Sequence, residues 1–171
     1  MKNNQLYVRV YGDEILKQKS ENVIEMTTEF KDFINELISI MYEKDGIGIA
    51  APQVGVLKRV VIVDCEHSKT GNKNPIVLIN PEFLEYSGDQ VSEEGCLSVP
   101  GVYANVNRFN DIKLKYLDID MKEHILTAND TFSIVLQHEI DHLDGILFVD
   151  KLNPIKRMAL SFKLNRINKA T

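Results

Sequence analysis

The chain has 171 residues, of which 44% are apolar and 26% are charged, as in ordinary globular proteins. That length is enough for one domain with a sizeable core, and the composition excludes an intrinsically disordered chain. No run approaches the roughly 18 apolar residues that a membrane span needs, and residues 1–5 carry no secretory pattern. Two cysteines give little scope for a disulfide framework, which indicates the reducing cytoplasm. Together with the length and the hydropathy, this predicts a single cytoplasmic domain over 1–171, without a membrane partner.

The basic residues are unevenly distributed. Six of the 20 Lys and Arg residues lie at or after residue 151, where none of the 25 acidic residues occurs. This basic segment, 151–171, follows a body with an excess of acidic groups, which indicates a docking element for an anionic partner. The alternative is an amphipathic helix whose basic face is simply solvated, and composition alone does not separate the two.

The first half of the chain predicts two helices followed by strands. Asp13 is placed as the N-cap of a short helix over 13–20, and apolar residues at three- and four-residue spacing predict a longer helix over 28–44. The next segment, 46–55, has small residues and a proline, and we expect it to make a poor core element. Strands are predicted over 59–65, 77–79 and 82–86, the last two being separated by Asn80-Pro81.

The second half predicts a strand, a buried helix and an amphipathic helix. Residues 112–119 alternate as in a half-buried strand, whereas 131–143 is apolar on most sides and predicts a buried central helix. The apolar run 146–149 is typical of a strand. Pro154 opens the last helix, which is predicted to turn these residues inward: Ile155, Met158, Ala159, Phe162 and Ile167. Because strands come in runs, the predicted fold is α+β, with antiparallel sheets packed around the central helix and a C-terminal helix.

The central helix carries the pattern HExxH, as His138-Glu139-Ile140-Asp141-His142. Positions i and i+4 share one helical face, so both imidazoles can bind one ion. Glu139 lies about 100° further round the helix, close enough to act as general base to a metal-bound water. HExxH also occurs by chance on solvated helices, but burying these groups without partners is costly, and a metal relieves that cost.

A third metal ligand is needed, and the candidates after His142 are poor. The only acids there are Asp144 and Asp150. Asp144 is two residues further on and lies on the wrong side of the helix, and Asp150 follows the apolar run 146–149. An ordinary zincin peptidase, which takes its third ligand from further down the chain, is therefore disfavoured.

Upstream, four residues are candidates for the third ligand. Cys65 ends an apolar strand and is more typical of a buried structural thiol, whereas His67 and His124 lie in polar surroundings. Cys96 lies in a tight stretch where Gly95 frees the backbone, and it is the best candidate. One Cys and two His leave a fourth position open for water, as catalytic sites require. A soft thiolate with two imidazoles suits Fe(II), Co(II) or Ni(II) as well as Zn(II), so the sequence does not choose the metal.

Three motifs together resemble the peptide deformylase family, which is marked by GxGxAAxQ, EGCLS and QHExDHL. The chain carries them as Gly46-Ile47-Gly48-Ile49-Ala50-Ala51-Pro52-Gln53, Glu94-Gly95-Cys96-Leu97-Ser98 and Gln137-His138-Glu139-Ile140-Asp141-His142-Leu143. Their order and spacing also match, and the likeness spans roughly residues 8–165. HExxH alone is weakly specific, whereas the three motifs in this order are very specific.

The resemblance implies a role for each site residue. It assigns the metal to Cys96, His138 and His142, and the acid/base step to Glu139. By the same resemblance, the Gln53 side-chain amide and the Leu97 N–H polarise the formyl oxygen, where preorganised donors lower the barrier. Substrate binding is assigned to Ile47, Gly48, Glu94 and Val135. For Ile47 and Val135, simple core packing is an equal alternative.

The activity implied by the resemblance is removal of the N-formyl group from formylmethionine on newly made polypeptides, with release of formate. One divalent ion is implied, with Fe(II) expected and Zn(II), Ni(II) or Co(II) possible in purified protein. The basic segment is then expected to contact the ribosome near the exit tunnel through Lys156, Arg157, Lys163 and Arg166. Two rivals are a peptidase or other amidase on the same metal helix, and a catalytically silent relative that only binds.

Overall fold

Residues 6–169 of the computed structural model form four α-helices and seven β-strands. The helices are α1 (Thr28–Glu43), α2 (His67–Thr70), α3 (Asp130–Leu143) and α4 (Pro154–Lys169). The strands are β1 (Gly48–Ala50), β2 (Val60–Val63), β3 (Ile76–Ser87), β4 (Gln90–Cys96), β5 (Val99–Arg108), β6 (Asp111–Leu117) and β7 (Glu123–Ala128). Residues 1–5, 170 and 171, which the sequence assigns to the single domain and its basic end, lie outside the described residues, as do the side chains after residue 167.

Antiparallel pairing joins five strands in the order β1-β2-β3-β6-β7, and β4 with β5 forms a separate hairpin. All four residues of β2 are buried, as expected for a central strand that is covered on both faces. Helix α3 packs against β1, β2 and β6, and its apolar residues join the core of the sheet. The predicted α+β fold, with antiparallel sheets around a central helix, is confirmed.

The predicted limits of the two main helices are confirmed within one or two residues. Helix α1 begins after Thr27, whose side chain accepts a hydrogen bond from the Phe30 N–H. Helix α3 ends at Leu143, and Gly145, two residues further on, has a φ of +71°. A Cβ on Gly145 would collide with the Lys17 carbonyl, so this glycine also lets the short N-terminal helix, Glu14–Lys17, approach α3.

The segment 46–55 was expected to make a poor core element, and this expectation is wrong. Residues 48–54 are all buried, as β1 followed by a 3₁₀ turn over Ala51–Val54. Pro52 falls in the first turn of that 3₁₀ helix, where its missing N–H costs no hydrogen bond. The glycine and alanine residues in this segment let its backbone pack closely against α3, which contacts both β1 and the 3₁₀ turn.

Two strand predictions also need correction. The strands expected over 77–79 and 82–86 form one strand, β3, because a register shift between Ile79 and Glu82 accommodates Asn80-Pro81 without ending the pairing. The apolar run 146–149 was predicted as a strand, but Phe148–Lys151 is a 3₁₀ helix that buries Phe148 and Val149. Periodicity cannot separate these possibilities in so short an apolar run.

Helix α4 begins at Pro154 as predicted, but most of its predicted inner face is exposed. Ile155, Met158 and Phe162 are 76%, 70% and 73% exposed, and Ala159 is exposed too. The helix instead buries Leu164 and packs Leu160 and Ile167 against the cluster that includes residues of β5. Lys156, Arg157, Lys163 and Arg166 do face outward. Neither α4 nor any other helix in the described part of the chain is long and apolar enough to cross a membrane.

Candidate active site

Cys96, His138 and His142 come together where the end of β4 meets α3. One ligand atom from each residue lies within 4.8 Å of the others, and Cys96 Sγ is 3.3 Å from His142 Nε2. The two histidines are one helical turn apart, and their rings meet edge to face with centroids separated by 5.0 Å. A thiolate and two imidazoles in this arrangement are a three-ligand set with room for a fourth ligand.

The β4–β5 hairpin delivers Cys96 to the helix. Strand pairing shifts register between Glu94 and Cys96, so an irregularity lies directly before the thiol. A bulge of this kind re-aims the next side chain. The sequence predicted a tight stretch here but missed both strands. Only Glu94 is fully buried in β4 and several of its residues are polar, so the apolar alternation that marks a strand is absent.

A chain of buried charges orients His138. Its Nδ1 lies 2.8 Å from Glu94 Oε2, and the two oxygens of Glu94 accept hydrogen bonds from Arg108 at 2.7 and 2.9 Å. The remaining Arg108 nitrogen donates to Asp141 at 2.6 Å, and Lys151 lies 3.2 Å from the same carboxylate. With Nδ1 engaged, the Nε2 of His138 is free to act as a metal ligand.

Glu94 was assigned to substrate binding, and the structure gives it a different contact. The residue borders the cavity, but it is only 5% exposed and both of its carboxylate oxygens already accept hydrogen bonds. Burial opposes its ionisation, yet the hydrogen bonds and charges of Arg108 and His138 prevail and lower the pKa of Glu94 to about 2. Glu94 is thus held against His138, and its assigned contact with substrate stays a prediction.

Glu139 lies beside the two histidines at the bottom of the cavity. Burial raises the pKa of Glu139 to about 7, against the opposing effect of the His138 charge. Among the described residues, its Oε2 is buried without a hydrogen-bond partner. A Cβ built on Gly48 would lie 2.7 Å from its Oε1, so only glycine permits this approach. Such a carboxyl is suited to accept and release a proton near neutral pH.

The side-chain amide of Gln53 is held in one orientation. Its Oε1 accepts a hydrogen bond from the Ala50 N–H at 2.8 Å, so its Nε2 must be the donor on the other side. That nitrogen lies 3.2 Å from Ser98 Oγ and 3.5 Å from Cys96 Sγ. The Gln53 amide thus donates to Ser98 and also faces the thiol, where it can donate to an oxygen beside Cys96.

A cavity of 710 Å³ leads from solvent to these residues. Its lining includes 44–48, 99–103 and the α3 residues Val135, His138 and Glu139. Ile47, Gly48 and Leu97 all border it, as the resemblance implied. Ile47 and Val135 also pack against the core, so for these two residues packing and cavity lining are compatible.

The model of the polypeptide deformylase family matches residues 6–158. The chain belongs to this family. It is 46% identical over 152 residues to the peptide deformylase of Thermodesulfovibrio yellowstonii, which covers 89% of this chain and 92% of that relative. It is 41% identical over 165 residues to the peptide deformylase of Endomicrobium trichonymphae, covering 96% of each. The crystal structure of a peptide deformylase from Legionella pneumophila superposes with a TM-score of 0.89 at 38% identity, again covering 96% of both chains. The chain is thus a hydrolase of the deformylase family.

The other candidate ligands weighed from the sequence lie elsewhere in this deformylase. Asp144 pairs with Arg59 at 2.8 Å, and Asp150 is engaged by Lys17 and by the Leu147 N–H. Cys65, His67 and His124 do not belong to the Cys–His–His group. In addition, desolvation raises the pKa of the Cys65 thiol to about 11, which disfavours the thiolate that a metal needs.

Sequence reasoning missed Arg108 and the contact that Ser98 makes. Ser98 stood in the EGCLS motif, but nothing in the motif shows that its hydroxyl meets Gln53. Arg108 lies outside all three motifs. Its position became visible only through the pairing of β4 with β5, which brings the arginine back toward Glu94 from 14 residues along the chain.

Proposed function

We propose that this chain hydrolyses the N-formyl group of formylmethionine at the start of newly made polypeptides and releases formate. The observation that carries the proposal is the buried Glu139 beside Cys96, His138 and His142 at the end of an open cavity, in a chain of the deformylase family. The whole chain, 1–171, is proposed to be one catalytic domain, working in the cytoplasm where such polypeptides are made.

We propose that Cys96, His138 and His142 hold one divalent ion, with Fe(II) as the expected metal and Zn(II), Ni(II) or Co(II) as substitutes. Their ligand atoms are close enough to share an ion, and Glu94 occupies only the far nitrogen of His138. Burial holds the pKa of His142 well below its ordinary value, which favours the neutral imidazole that ligation requires. When bound, the ion would acidify a water molecule and act as a Lewis acid.

Glu139 is the proposed general base and acid. It would take a proton from the attacking water and deliver it to the amine that leaves with the peptide. The Gln53 amide and the Leu97 N–H are proposed to stabilise the negative charge that develops on the formyl oxygen. Preorganised donors at such an oxygen are worth several kcal/mol, about 3–4 for one donor. Ala50 and Ser98 fix the Gln53 amide in advance, so no free energy is lost in turning it.

Formylated peptides fit the cavity by its chemistry. Ile47 and Val135 offer apolar surface for the methionine side chain, and Gly48 brings backbone close to Glu139. A main chain lying along 44–48 can hydrogen-bond to that backbone as an extended strand does.

Formate release from a formyl-Met peptide is the direct test. Glu139→Ala should lower the rate about 10²- to 10⁴-fold, and Cys96→Ser should lower both the metal content and the rate. A panel of formylated, acetylated and free peptides separates a deformylase from a general amidase or peptidase. Full activity in Glu139→Ala would contradict the mechanism, and no release from any formylated peptide by metal-loaded enzyme would favour the silent relative.

We also propose that α4 contacts the ribosome near the exit tunnel. Lys156, Arg157, Lys163 and Arg166 are all exposed on it, beside the exposed apolar residues Ile155, Met158 and Phe162. Reversing two of these charges, in Lys163→Glu with Arg166→Glu, should weaken co-sedimentation with ribosomes and reduce its salt dependence. Lys69→Glu with Lys122→Glu changes the net charge equally at exposed sites outside α4, and equal loss in both double variants would contradict this partner surface.

A further inference from the structure

A buried carboxylate outside the reacting centre lies at the end of β2. Asp64 is 3% exposed, and its Oδ2 accepts a hydrogen bond of 2.6 Å from the Tyr42 hydroxyl in the last turn of α1. The same carboxylate accepts hydrogen bonds from the N–H groups of His67 at 3.0 Å and Asn74 at 2.8 Å. The proposed mechanism uses neither Asp64 nor Tyr42, although both are hydrogen-bonded to the segment 44–48 that lines the cavity.

The direction of the Tyr42–Asp64 hydrogen bond is fixed. Burial disfavours the ionised carboxylate, but the hydrogen bonds from Tyr42 and from the backbone outweigh burial and lower the pKa of Asp64. Burial and the neighbouring carboxylate raise the pKa of Tyr42 well above its usual value, so the phenol keeps its proton and donates the hydrogen bond. Its ring is further held by His67, edge-on at 4.7 Å, and by Lys73, 4.6 Å above the ring centroid.

Both partners of this bond are joined by backbone hydrogen bonds to one side of the cavity. We call residues 44–47 the outer wall. On one side, the Asp45 N–H donates to the Tyr42 carbonyl at 3.1 Å. On the other side, the Asp64 N–H donates to the Ile47 carbonyl at 2.9 Å. The side-chain bond between Tyr42 and Asp64 therefore closes a frame around the outer wall.

The outer wall leads away from the reacting centre. Gly48 is buried against Glu139, Gly46 and Ile47 are half-buried, and Lys44 and Asp45 are exposed while still bordering the cavity. A substrate whose formyl group lies at Glu139 can extend its later residues outward past 44–46, which border the more exposed part of the cavity. Displacing this wall would weaken contacts with those residues and leave the reacting centre in place.

We propose that the Tyr42–Asp64 hydrogen bond positions the outer wall and thereby sets affinity for the substrate residues that follow formylmethionine. Tyr42 is in this sense a positioning residue, and the inference rests on the proposed deformylase activity. Losing an interaction that ground state and transition state share raises KM without lowering kcat. The effect should grow with substrate length, because a substrate that ends at methionine does not reach the outer part of the wall.

The test compares two substrates on the metal-loaded full chain: formyl-Met-amide and the formylated tripeptide formyl-Met-Ala-Ser. In Tyr42→Phe we expect KM for the tripeptide to rise about three- to tenfold, the size expected for one weakened hydrogen bond. KM for formyl-Met-amide and both kcat values should stay within about twofold. Tyr86→Phe removes a hydroxyl from a tyrosine that stacks on Phe109 and does not border the cavity, and it is the matched control.

The length dependence makes the outcomes separable. Unchanged KM for the tripeptide, or an equal rise for both substrates, overturns the inference, because a general loosening would not distinguish them. KM does not depend on the fraction of folded enzyme, so modest destabilisation cannot imitate the result. Should Tyr42→Phe fail to fold, Asp64→Asn preserves the shape of the other partner and must give the same selective rise. Absence of formate release by the unmodified enzyme would count against the proposed function instead.

Discussion

Helices α3 and α4 both carry polar residues that the sequence singles out, but these residues differ in their contacts within the chain and in their exposure to solvent. On α3, the side chains of His138 and Asp141 are bound to partners within the chain. On α4, most of the apolar residues face solvent, as do Lys156, Arg157, Lys163 and Arg166, and Leu164 is deeply buried. Polar and apolar residues thus form a fixed internal site on α3, whereas on α4 they form a surface that is open to a partner.

Burial decides which kind of effect a substitution has. Around α3, removing one charge leaves its partners buried and uncompensated, so both stability and the metal site should respond. On α4, a solvated side chain loses little on removal, so any large effect must come from a partner. The predictions below test this contrast, from the largest expected effect to the smallest.

Arg108→Met should destabilise the protein most. The arginine binds Glu94 and Asp141 together, and its removal leaves two carboxylates without their principal partner. We expect the free energy of unfolding to fall by about 3–5 kcal/mol in chemical denaturation. Since Glu94 orients His138, metal affinity should also fall about 10- to 100-fold. Arg108→Lys keeps the charge without the planar guanidinium, so its stability should lie between those of the parent protein and Arg108→Met. Unchanged stability in Arg108→Met would contradict the expected difference between α3 and α4.

Glu94 should make the stability depend on pH in a defined window. Its pKa is lowered from 4.5 to about 2, so its contribution is complete above 4.5 and is lost as the pH falls toward 2. That shift corresponds to roughly 3 kcal/mol. The stability gap between the parent and Glu94→Gln, measured on metal-free protein by denaturant unfolding, should be widest near neutral pH and close between pH 4.5 and 2. A gap that is constant with pH would mean that Glu94 is not the titrating group.

Gly48→Ala should act on rate rather than on stability. A Cβ at this position would lie 2.7 Å from Glu139 Oε1 and 2.9 Å from its Cγ, so the carboxylate must move. Displacing a catalytic group by about 1 Å can cost about 10²-fold in rate. We expect kcat for formate release to fall by about that factor while the metal content stays unchanged. Gly71→Ala, in a surface loop where a Cβ meets no atom within 4 Å, controls for the loss of a glycine, although its positive φ carries some strain.

The sequence predicted α3 and the grouping of Cys96, His138 and His142 well, because one buried helix carries most of the site. The i, i+4 spacing of His138 and His142 fixes their common face whatever surrounds the helix. Cys96 became the best candidate once the acids that follow His142 were excluded. The three motifs, by their resemblance to the deformylase family, then implied the same ligand. Helix limits were equally accessible, since capping residues such as Thr27 and a stop such as Gly145 act locally.

What the sequence did not predict depends on contacts between distant segments. Arg108 meets Glu94 only after β4 and β5 pair, and no local pattern indicates that pairing. The buried segment 48–54 contains glycine and alanine residues, which are too small to show an apolar periodicity. The close packing of this segment depends on those same small residues. The inner face of α4 was misassigned because two apolar faces compete on that helix, and the tertiary contacts select the one with Leu160, Leu164 and Ile167.

Met158→Ser with Phe162→Ser should have the smallest effect on the isolated protein. Both side chains are at least 70% exposed, so we expect a change within about 0.5 kcal/mol in the free energy of unfolding. Formate release from short peptides should also be unchanged, because neither residue borders the cavity. Leu164→Ala is the matched control on the same helix: it is 3% exposed, and its truncation should cost about 2–5 kcal/mol. If the exposed pair destabilised the protein as much as Leu164→Ala does, α4 would be packed within the chain like α3. If only Leu164→Ala does so, the Met158 and Phe162 surface is free to contribute to ribosome binding beside the basic residues.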